Sequence, residues 1–244
     1  MCGRYSLFTP PEELEERFDA QFAFEFEPRY NAAPSQRLPV ITGEDPAAIR
    51  PLEWGLIPRW ADESDEGHIN ARAETVEEKP AFADAYETAA DTEDRDTPAS
   101  GRCLVPADGF YEWADTGDGK RPYRVALEDD RPFAMAGLWE RWTPDTVQTG
   151  LGSFDDDAKE EPDPIETFTV VTTEPNEVVE PLHHRMAVVL SPEEESAWLE
   201  GEDVALDPAP AGEFRAYPVS TAVNDPSNDR PELLRNVEDQ GPNA

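Results

Sequence analysis

The sequence predicts an α+β fold in one domain, with many short strands and few helices. Three observations support this prediction. Short runs rich in β-branched and aromatic residues recur along the chain and are separated by turn-forming Gly, Pro, Asp and Asn, as in sheets of short strands. Helix patterns occur in only three stretches, and the sequence has no internal repeats. The 244 residues include six Trp and eleven Phe, which is enough for one sizeable core.

The first half of the chain contains two of the predicted helices. Thr9-Pro10-Pro11-Glu12-Glu13 indicates a helix start, because it combines a capping residue, proline in the first turn and acids at the positive end of the helix dipole. This helix is expected to run to about Ala20 and to bury Leu14 and Phe18. The other expected elements are an irregular loop at 28–34, extended chain at 38–42 and 51–58, an acidic loop at 61–67, a helix at 81–86 and a solvated run at 87–96.

The second half is dominated by predicted strands. Residues 123–127 and 133–139 alternate apolar and polar side chains, which predicts two paired strands joined by a turn at Asp129-Asp130. Residues 143–164 are rich in Asp, Glu, Gly and Pro and predict an exposed acidic insertion. The other expected elements are strands at 102–106, 109–113, 168–173 and 187–190, a helix from Ser191 through 199, and a disordered tail at 236–244. The domain is therefore expected to span residues 1–235.

The charge of the chain is strongly one-sided. There are 55 acidic residues against 20 basic ones, a net charge of −35, and only three of the basic residues are Lys. Such a composition is typical of proteins from a salt-loaded cytoplasm, where carboxylates keep the surface hydrated and salt screens their repulsion. A strongly basic partner is the alternative explanation. The acidic residues are spread in short runs along the whole chain, which favours salt adaptation and a halophilic source.

The two cysteines, Cys2 and Cys103, do not form a disulfide framework, and no Cys/His cluster indicates a metal site. Cys103 lies in a predicted strand and is expected to pack as a small apolar side chain. The start of the chain lacks a basic segment followed by an apolar run, so no signal peptide is expected. No stretch approaches the eighteen apolar residues of a membrane span. These features predict a soluble, cytoplasmic protein.

Cys2 has special chemistry if Met1 is removed, because its α-amine and thiol then lie on adjacent carbons. The amine can condense with an aldehyde to an imine, and the thiol can close onto the imine carbon to form a thiazolidine. Both groups titrate near neutrality, at about 8 and about 8.5, so a modest local field makes either one a nucleophile. The alternative is an ordinary residue in a frayed terminus.

Six separated segments occur in a specific order and spacing. They are MCGRY at 1–5, RYNAAP at 29–34, WGLIPRW at 54–60, NARAET at 70–75, RCLVP at 102–106 running into GFYEW at 109–113, and Thr172-Thr173 through His183, Arg185 and Met186. Together they resemble the SOS-response-associated peptidase (SRAP) family over nearly the whole chain. The chain departs from the family pattern at Ala187, where proline is usual, and in the acidic insertion.

The resemblance implies a domain whose core is made of short, mostly antiparallel strands in barrel-like sheets with a few peripheral helices. It implies a protein that senses abasic sites in single-stranded DNA and forms a covalent thiazolidine crosslink through Cys2, which shields the lesion. It also implies a cysteine peptidase activity, which could remove Met1, and a lyase activity. The expected partner is single-stranded DNA with abasic sites. We expect a monomer without metal, cofactor or membrane contact, associated with the nucleoid when bound to DNA.

The resemblance also assigns roles to individual residues. Glu112 corresponds to the acid/base residue, and a carboxyl group beside Tyr111 and Trp113 could have the raised pKa that proton transfer at neutral pH requires. His183 corresponds to the catalytic histidine, whereas His184 occupies a variable position. The remaining catalytic assignment is Asn70, which is expected to orient the aminothiol and the sugar by hydrogen bonding.

DNA binding requires local positive charge in a protein that repels DNA overall. Guanidinium groups within the motifs could hold phosphates, and tryptophan rings could stack on bases beside the lesion. The predicted DNA-binding residues are Arg4, Arg72, Arg185, Trp54, Trp113, Asn31 and Pro34. For the arginines the alternative is pairing with surface acids, and for the tryptophans it is burial in the core.

Two other functions remain open from the sequence. N-terminal-nucleophile glutamine amidotransferases also begin with Met-Cys-Gly, but their glutamine-site segments are not recognisable in this chain. A protein that recognises damaged DNA without forming a covalent bond would use the same groove. Glutaminase activity would identify the first, and the absence of a covalent adduct would identify the second.

Overall fold

The computed structural model describes residues 2–62, 67–88, 100–117, 119–144 and 163–239. Within these ranges the chain forms fourteen strands, three helices and four short 3-10 turns. The strands are β1 (Tyr5–Leu7), β2 (Gln21–Phe22), β3 (Arg29–Ala32), β4 (Arg37–Thr42), β5 (Asp45–Trp54), β6 (Asn70–Arg72), β7 (Ser100–Ala107), β8 (Gly109–Asp115), β9 (Lys120–Leu127), β10 (Phe133–Trp142), β11 (Ile165–Thr173), β12 (Met186–Ala187), β13 (Val189–Leu190) and β14 (Phe214–Pro218). The helices are α1 (Pro11–Phe18), α2 (Ala83–Glu87) and α3 (Pro192–Leu199), and the 3-10 turns are Ala73–Thr75, Ala211–Glu213, Thr221–Asn224 and Pro231–Leu234.

Five strands close into a barrel. The antiparallel order β5–β4–β7–β10–β11 is completed by a parallel contact between β11 and β5, in which Thr167 lies opposite Glu53 and Phe168 opposite Trp54. In the described ranges the other parallel pairs are β6 with β11 and β2 with β5, and the remaining pairs are antiparallel. The expectation of an α+β fold with mostly antiparallel strands in barrel-like sheets and peripheral helices is confirmed.

The second sheet has five strands in the order β14–β9–β8–β1–β3. β9 belongs to this sheet, whereas β10 belongs to the barrel, where its Gly137 lies opposite Cys103 of β7. The predicted pairing of 123–127 with 133–139 across a turn at Asp129-Asp130 is therefore wrong. Alternation shows that one face of a strand is buried, but it does not identify the partner strand. The chain passes from one sheet to the other at this turn.

The main hydrophobic core joins the barrel to the second sheet. Trp54 of the barrel stacks on Phe168 at 6.1 Å and contacts Tyr5 of β1 at 5.3 Å between ring centroids. Cys103 is fully buried, which confirms its expected role as a small apolar side chain. The packing of Tyr5 against barrel aromatics fixes β1, and therefore also fixes the position of the residues that precede it.

The start of α3 agrees with the prediction from the sequence, whereas the start of α1 differs from it. α3 begins with the expected capping residue, since Ser191 and Glu194 form a reciprocal capping box. α1 has Pro10 at its cap position without a side-chain hydrogen bond. The expected capping by Thr9 is wrong, because the Thr9 hydroxyl donates instead to Asp108 at 2.5 Å. A buried carboxylate between β7 and β8 thus holds the chain that follows β1.

Some predicted segments lie partly or wholly outside the described residues. These are the acidic loop from 63 to 66, most of the acidic run at 87–96, residues 145–162 of the acidic insertion, and the tail from 240 onward. In the tail before residue 240, the Val237 N–H donates to the Pro218 carbonyl at 3.0 Å. None of the helices in the described part of the chain has the length and apolar character needed to cross a membrane.

Candidate active site

Cys2 lies where the second sheet meets the barrel. β1 pairs with β8 in antiparallel register, and the Tyr111 N–H donates to the Arg4 carbonyl at 2.9 Å, so the residues before β1 run back alongside Glu112. From the barrel side, Asn70 Nδ2 donates to the Cys2 carbonyl at 3.0 Å. Cys2 is 0% exposed. The two sheets therefore hold its backbone from opposite sides.

Burial keeps the Cys2 thiol protonated. Removal from water raises the pKa of the thiol far above its usual value, and the nearby charge of Glu112 raises it further. A thiolate is therefore not preformed at neutral pH in this environment. Any reaction of the sulfur requires a group that takes up its proton.

Glu112 is a suitable group for that task. Its side chain projects from β8 and is 2% exposed. Burial raises the pKa of its carboxyl from 4.5 to about 7, because desolvation disfavours the charged form. At neutral pH such a group exists in both protonation states, so it can accept and return a proton.

His183 lies beside Glu112, with 3.8 Å between its Nδ1 and Glu112 Oε2. The same Nδ1 lies beside the Arg185 backbone, 3.1 Å from its nitrogen and 3.2 Å from its carbonyl oxygen. Partial burial lowers the pKa of His183 below its ordinary value of 6.5. The imidazole is therefore mainly neutral at pH 7.

Glu112 and His183 line a cleft of about 570 Å³, called here the central cleft, whereas Cys2 and Asn70 are not among its lining residues. It is lined by Arg72, Glu112, Trp113, Lys120, His183, His184 and Asn224. A second hollow of about 780 Å³ shares Trp113, Lys120 and both histidines with it and continues toward Glu174 and Glu180. Because they share these residues, the two hollows form one open groove.

Two of the predicted DNA-binding residues line the central cleft. Arg72 is exposed at the end of β6, and the half-buried Trp113 extends from β8. Arg4 is half-buried, and desolvation lowers the pKa of its guanidinium. Pro34 is also half-buried, but it is not among the residues that line the cleft. Phosphate contacts by Arg72 and base stacking by Trp113 are thus sterically open to a bound strand.

Trp54, Asn31 and Arg185 are buried and are not among the residues that line the central cleft. Trp54 is 1% exposed, and its indole N–H donates to the Ile69 carbonyl at 2.9 Å. Asn31 is 1% exposed, and its amide nitrogen donates to three backbone carbonyls. Arg185 is buried and paired with Glu74, with 3.0 Å between Nη2 and Oε2. Burial of these three side chains disfavours the expected contacts with DNA.

Three residues that line the central cleft were not among the site residues predicted from the sequence. Lys120 lies across the β8–β9 hairpin from Asp115 and is one of only three lysines, which is a signal that could have drawn attention to it. His184 packs against His183, with 4.3 Å between ring centroids. Asn224 lies in a 3-10 turn more than a hundred residues after Trp113 in the chain. Its neighbours in the sequence give no indication of a functional site.

The described residues contain no group of three or more His, Cys, Asp or Glu side chains that could hold a metal ion. The candidate site contains a thiol, a carboxyl group with a pKa near 7, a neutral imidazole and an amide. Together they can move protons around an atom bound at Cys2.

The fold and the site define a β-barrel protein in which a buried carboxyl group and an imidazole line one open groove, and a buried cysteine interacts electrostatically with that carboxyl group. The chain matches the family model described as SOS response associated peptidase (SRAP) over residues 1–226, and it belongs to that family. The match includes all six motifs and continues beyond the last of them.

Named relatives cover nearly the whole chain. It is 39% identical to the abasic site processing protein YoqW of Bacillus subtilis (strain 168), over 96% of this chain and 99% of that protein. It is 29% identical to the abasic site processing protein YedK of Escherichia coli (strain K12), over 97% and 100% of the two chains. A solved structure of a Bacteroides thetaiotaomicron protein has the same fold, with a TM-score of 0.77 at 24% identity over 96% of this chain and 99% of that one.

Proposed function

We propose that this protein processes abasic sites in single-stranded DNA by bonding covalently to them through Cys2. The observation that carries the proposal is the buried carboxyl group of Glu112, with its pKa near 7, next to both Cys2 and His183. The names of the relatives, which are abasic site processing proteins, support the choice of DNA lesion. Removal of Met1 is required, because it uncovers the α-amine of Cys2.

The proposed reaction begins with the ring-opened aldehyde of the abasic sugar. The Cys2 amine adds to the aldehyde carbon, and one water molecule leaves as the imine forms. The Cys2 sulfur then bonds to the imine carbon, and the proton that the thiol loses reaches the nitrogen, which closes the thiazolidine. The net change is loss of one water, without an oxidant or reductant.

Side chains of the central cleft supply the proton transfers. Glu112 takes the proton of the buried thiol and returns it to the imine nitrogen, which its pKa near 7 allows in both directions. His183 donates a proton to the sugar oxygen during ring opening. Asn70 holds the Cys2 carbonyl, so that the aminothiol keeps a fixed orientation toward these groups.

DNA is held by local charge and stacking despite the net charge of −35. Arg72 and Lys120 are exposed cations at the central cleft, and Trp113 presents a ring to a neighbouring base. A covalent product would persist in concentrated salt, where binding by ion release weakens steeply. This combination suits a protein whose acidic surface is typical of proteins in a salt-loaded cytoplasm.

The proposal is tested by incubating the mature protein with an abasic single-stranded oligonucleotide and separating the products on a denaturing gel. The wild type is expected to give a slowly migrating one-to-one adduct that survives denaturation. Cys2→Ala keeps the amine but loses the sulfur, so at most a labile imine is expected. Cys103→Ala is the matched control and should react like the wild type.

Two results would overturn the proposal. A wild-type protein that binds the oligonucleotide but yields no denaturation-stable adduct would be a non-covalent reader of damage. Equal adduct from Cys2→Ala would place the reacting group elsewhere. Glutaminase activity in the same preparation would instead favour an amidotransferase.

A further inference from the structure

Residues 221–229, called here the wall segment, contribute Asn224 to the lining of the central cleft. The segment includes the 3-10 turn Thr221–Asn224 and precedes the turn Pro231–Leu234. Asn31 of β3 holds it from below, because its Nδ2 donates to the carbonyls of Val223 at 3.2 Å, Asp225 at 3.1 Å and Asn228 at 2.9 Å. A single buried amide thus binds three successive parts of the segment.

The far end of the wall segment is fixed by Asp229. Its Oδ1 accepts from the N–H groups of Tyr30 at 2.6 Å and Asn31 at 3.1 Å, and its Oδ2 pairs with Arg29 at 3.2 Å. Hydrogen bonds to an ionised acceptor are shorter and stronger than neutral ones. The segment is therefore tied to β3 along its length, although most of its residues are exposed.

The tied segment reaches the cleft through Asn224. The Trp113 indole N–H donates to Asn224 Oδ1 at 2.8 Å, and both side chains line the central cleft. Trp113 is half-buried and extends from β8 next to Glu112. Without this acceptor the ring would keep its attachment to the strand but lose the bond that fixes its rotation.

We propose that Asn224 is a positioning residue that fixes the Trp113 ring as a stacking face for the base beside the lesion, and that Asn31 holds Asn224 in place. This inference rests on the proposed function for the identity of the ligand. It explains why the asparagine of the second motif is buried away from DNA. β3, which holds the wall segment, is also joined to β8, since Tyr111 OH donates to the Tyr30 carbonyl at 2.7 Å.

The predicted effect concerns binding and not the bond-forming step. Loss of one indole hydrogen bond is expected to weaken binding of abasic single-stranded DNA about fivefold. The crosslinking rate at saturating DNA should stay within about twofold of the wild type, because Asn224 does not touch the reacting atoms. Asn224→Asp keeps an oxygen acceptor at the same position and should restore the hydrogen bond with the indole.

A double-mutant cycle tests the inference. Asn224→Ala and Asn31→Ala are each compared with Trp113→Phe and with the corresponding double variants, and equilibrium binding is measured with Cys2→Ala as the background. Phe has no N–H, so both alanine changes should weaken binding when Trp113 is present and have little effect when they are combined with Trp113→Phe. Equal losses with and without Trp113→Phe, or no loss when Trp113 is present, would overturn the inference.

A second readout does not depend on DNA. In the ¹⁵N-labelled protein, the indole N–H of Trp113 should exchange faster with solvent in Asn224→Ala than in the wild type, and slow again in Asn224→Asp. An unchanged exchange rate in Asn224→Ala overturns the inference even if the protein bonds to abasic DNA. If the exchange rate changes as expected but the wild type yields no adduct, the proposed function fails and the positioning contact stands.

Discussion

Replacing Glu112 by Gln should make the folded protein more stable at alkaline pH while it slows the reaction. Burial raises the pKa of Glu112 from 4.5 to about 7, so between these values the folded state holds a proton that the unfolded state has lost. The free energy of unfolding therefore falls as pH rises through this window, and the loss is complete above pH 7. At about 1.36 kcal/mol per pKa unit, the loss approaches about 3 kcal/mol. A glutamine side chain does not ionise, so the variant does not lose this free energy of unfolding as pH rises.

Urea unfolding of wild type and Glu112→Gln at pH 5, 6, 7 and 8 in constant KCl measures this effect. The variant should exceed the wild type by up to about 3 kcal/mol at pH 8, and the difference should shrink toward pH 5. In the same preparation, crosslinking to abasic DNA should slow by about 100-fold, the usual scale for a positioned acid or base. The inflection near pH 7 in the wild-type rate should disappear.

Glu140→Gln is the matched control. Burial also raises the pKa of Glu140 to about 7, and this carboxylate accepts from the Arg59 N–H at 2.6 Å, away from the central cleft. Glu140→Gln should change the dependence of stability on pH in a similar way to Glu112→Gln, and it should leave the crosslinking rate unchanged. A Glu112→Gln protein that is less stable than the wild type at pH 8, or whose stability difference is constant from pH 5 to 8, would refute the account of Glu112 as a desolvated acid/base group.

Two further predictions separate neighbouring residues of the same type. His183→Ala should slow crosslinking by about 100-fold, whereas His184→Ala should change it by less than about tenfold; equal effects in single-turnover assays would show that the two roles are assigned in the wrong order. Arg72→Ala should flatten the slope of log affinity against log KCl by about 0.7, one phosphate contact on a single strand. Arg185→Ala should leave that slope unchanged and lower the free energy of unfolding instead, because its guanidinium is buried against Glu74; a flattened slope there would contradict the buried pairing.

The sequence was sufficient to predict the fold class, whereas the candidate site residues were assigned from the family resemblance. Cys2, Asn70, Glu112 and His183 lie far apart in the chain, and the structure brings them together through the pairing of β1 with β8 and of β6 with β11. Their spacing alone carries no such information, so the assignment depended on the family resemblance. Their catalytic roles stay predictions.

Burial was the property that the sequence did not reveal. Trp54, Asn31 and Arg185 belong to the same motifs as residues that reach the cleft, but closure of the barrel and the wall segment enclose them. The β9–β10 pairing failed for a related reason, since alternating hydrophobicity does not identify a partner strand. Asn224 approaches the site only through long-range packing of the C-terminal part of the domain.

The central claim is that Cys2 bonds covalently to the abasic sugar. Intact-mass analysis of the mature protein after incubation with an abasic single-stranded oligonucleotide should give the sum of the two masses less one water. Nuclease and protease digestion followed by fragmentation should then locate the sugar remnant on Cys2. A remnant on Lys120, on Cys103 or on any other internal residue, or an unmodified protein mass after binding is complete, would contradict the account.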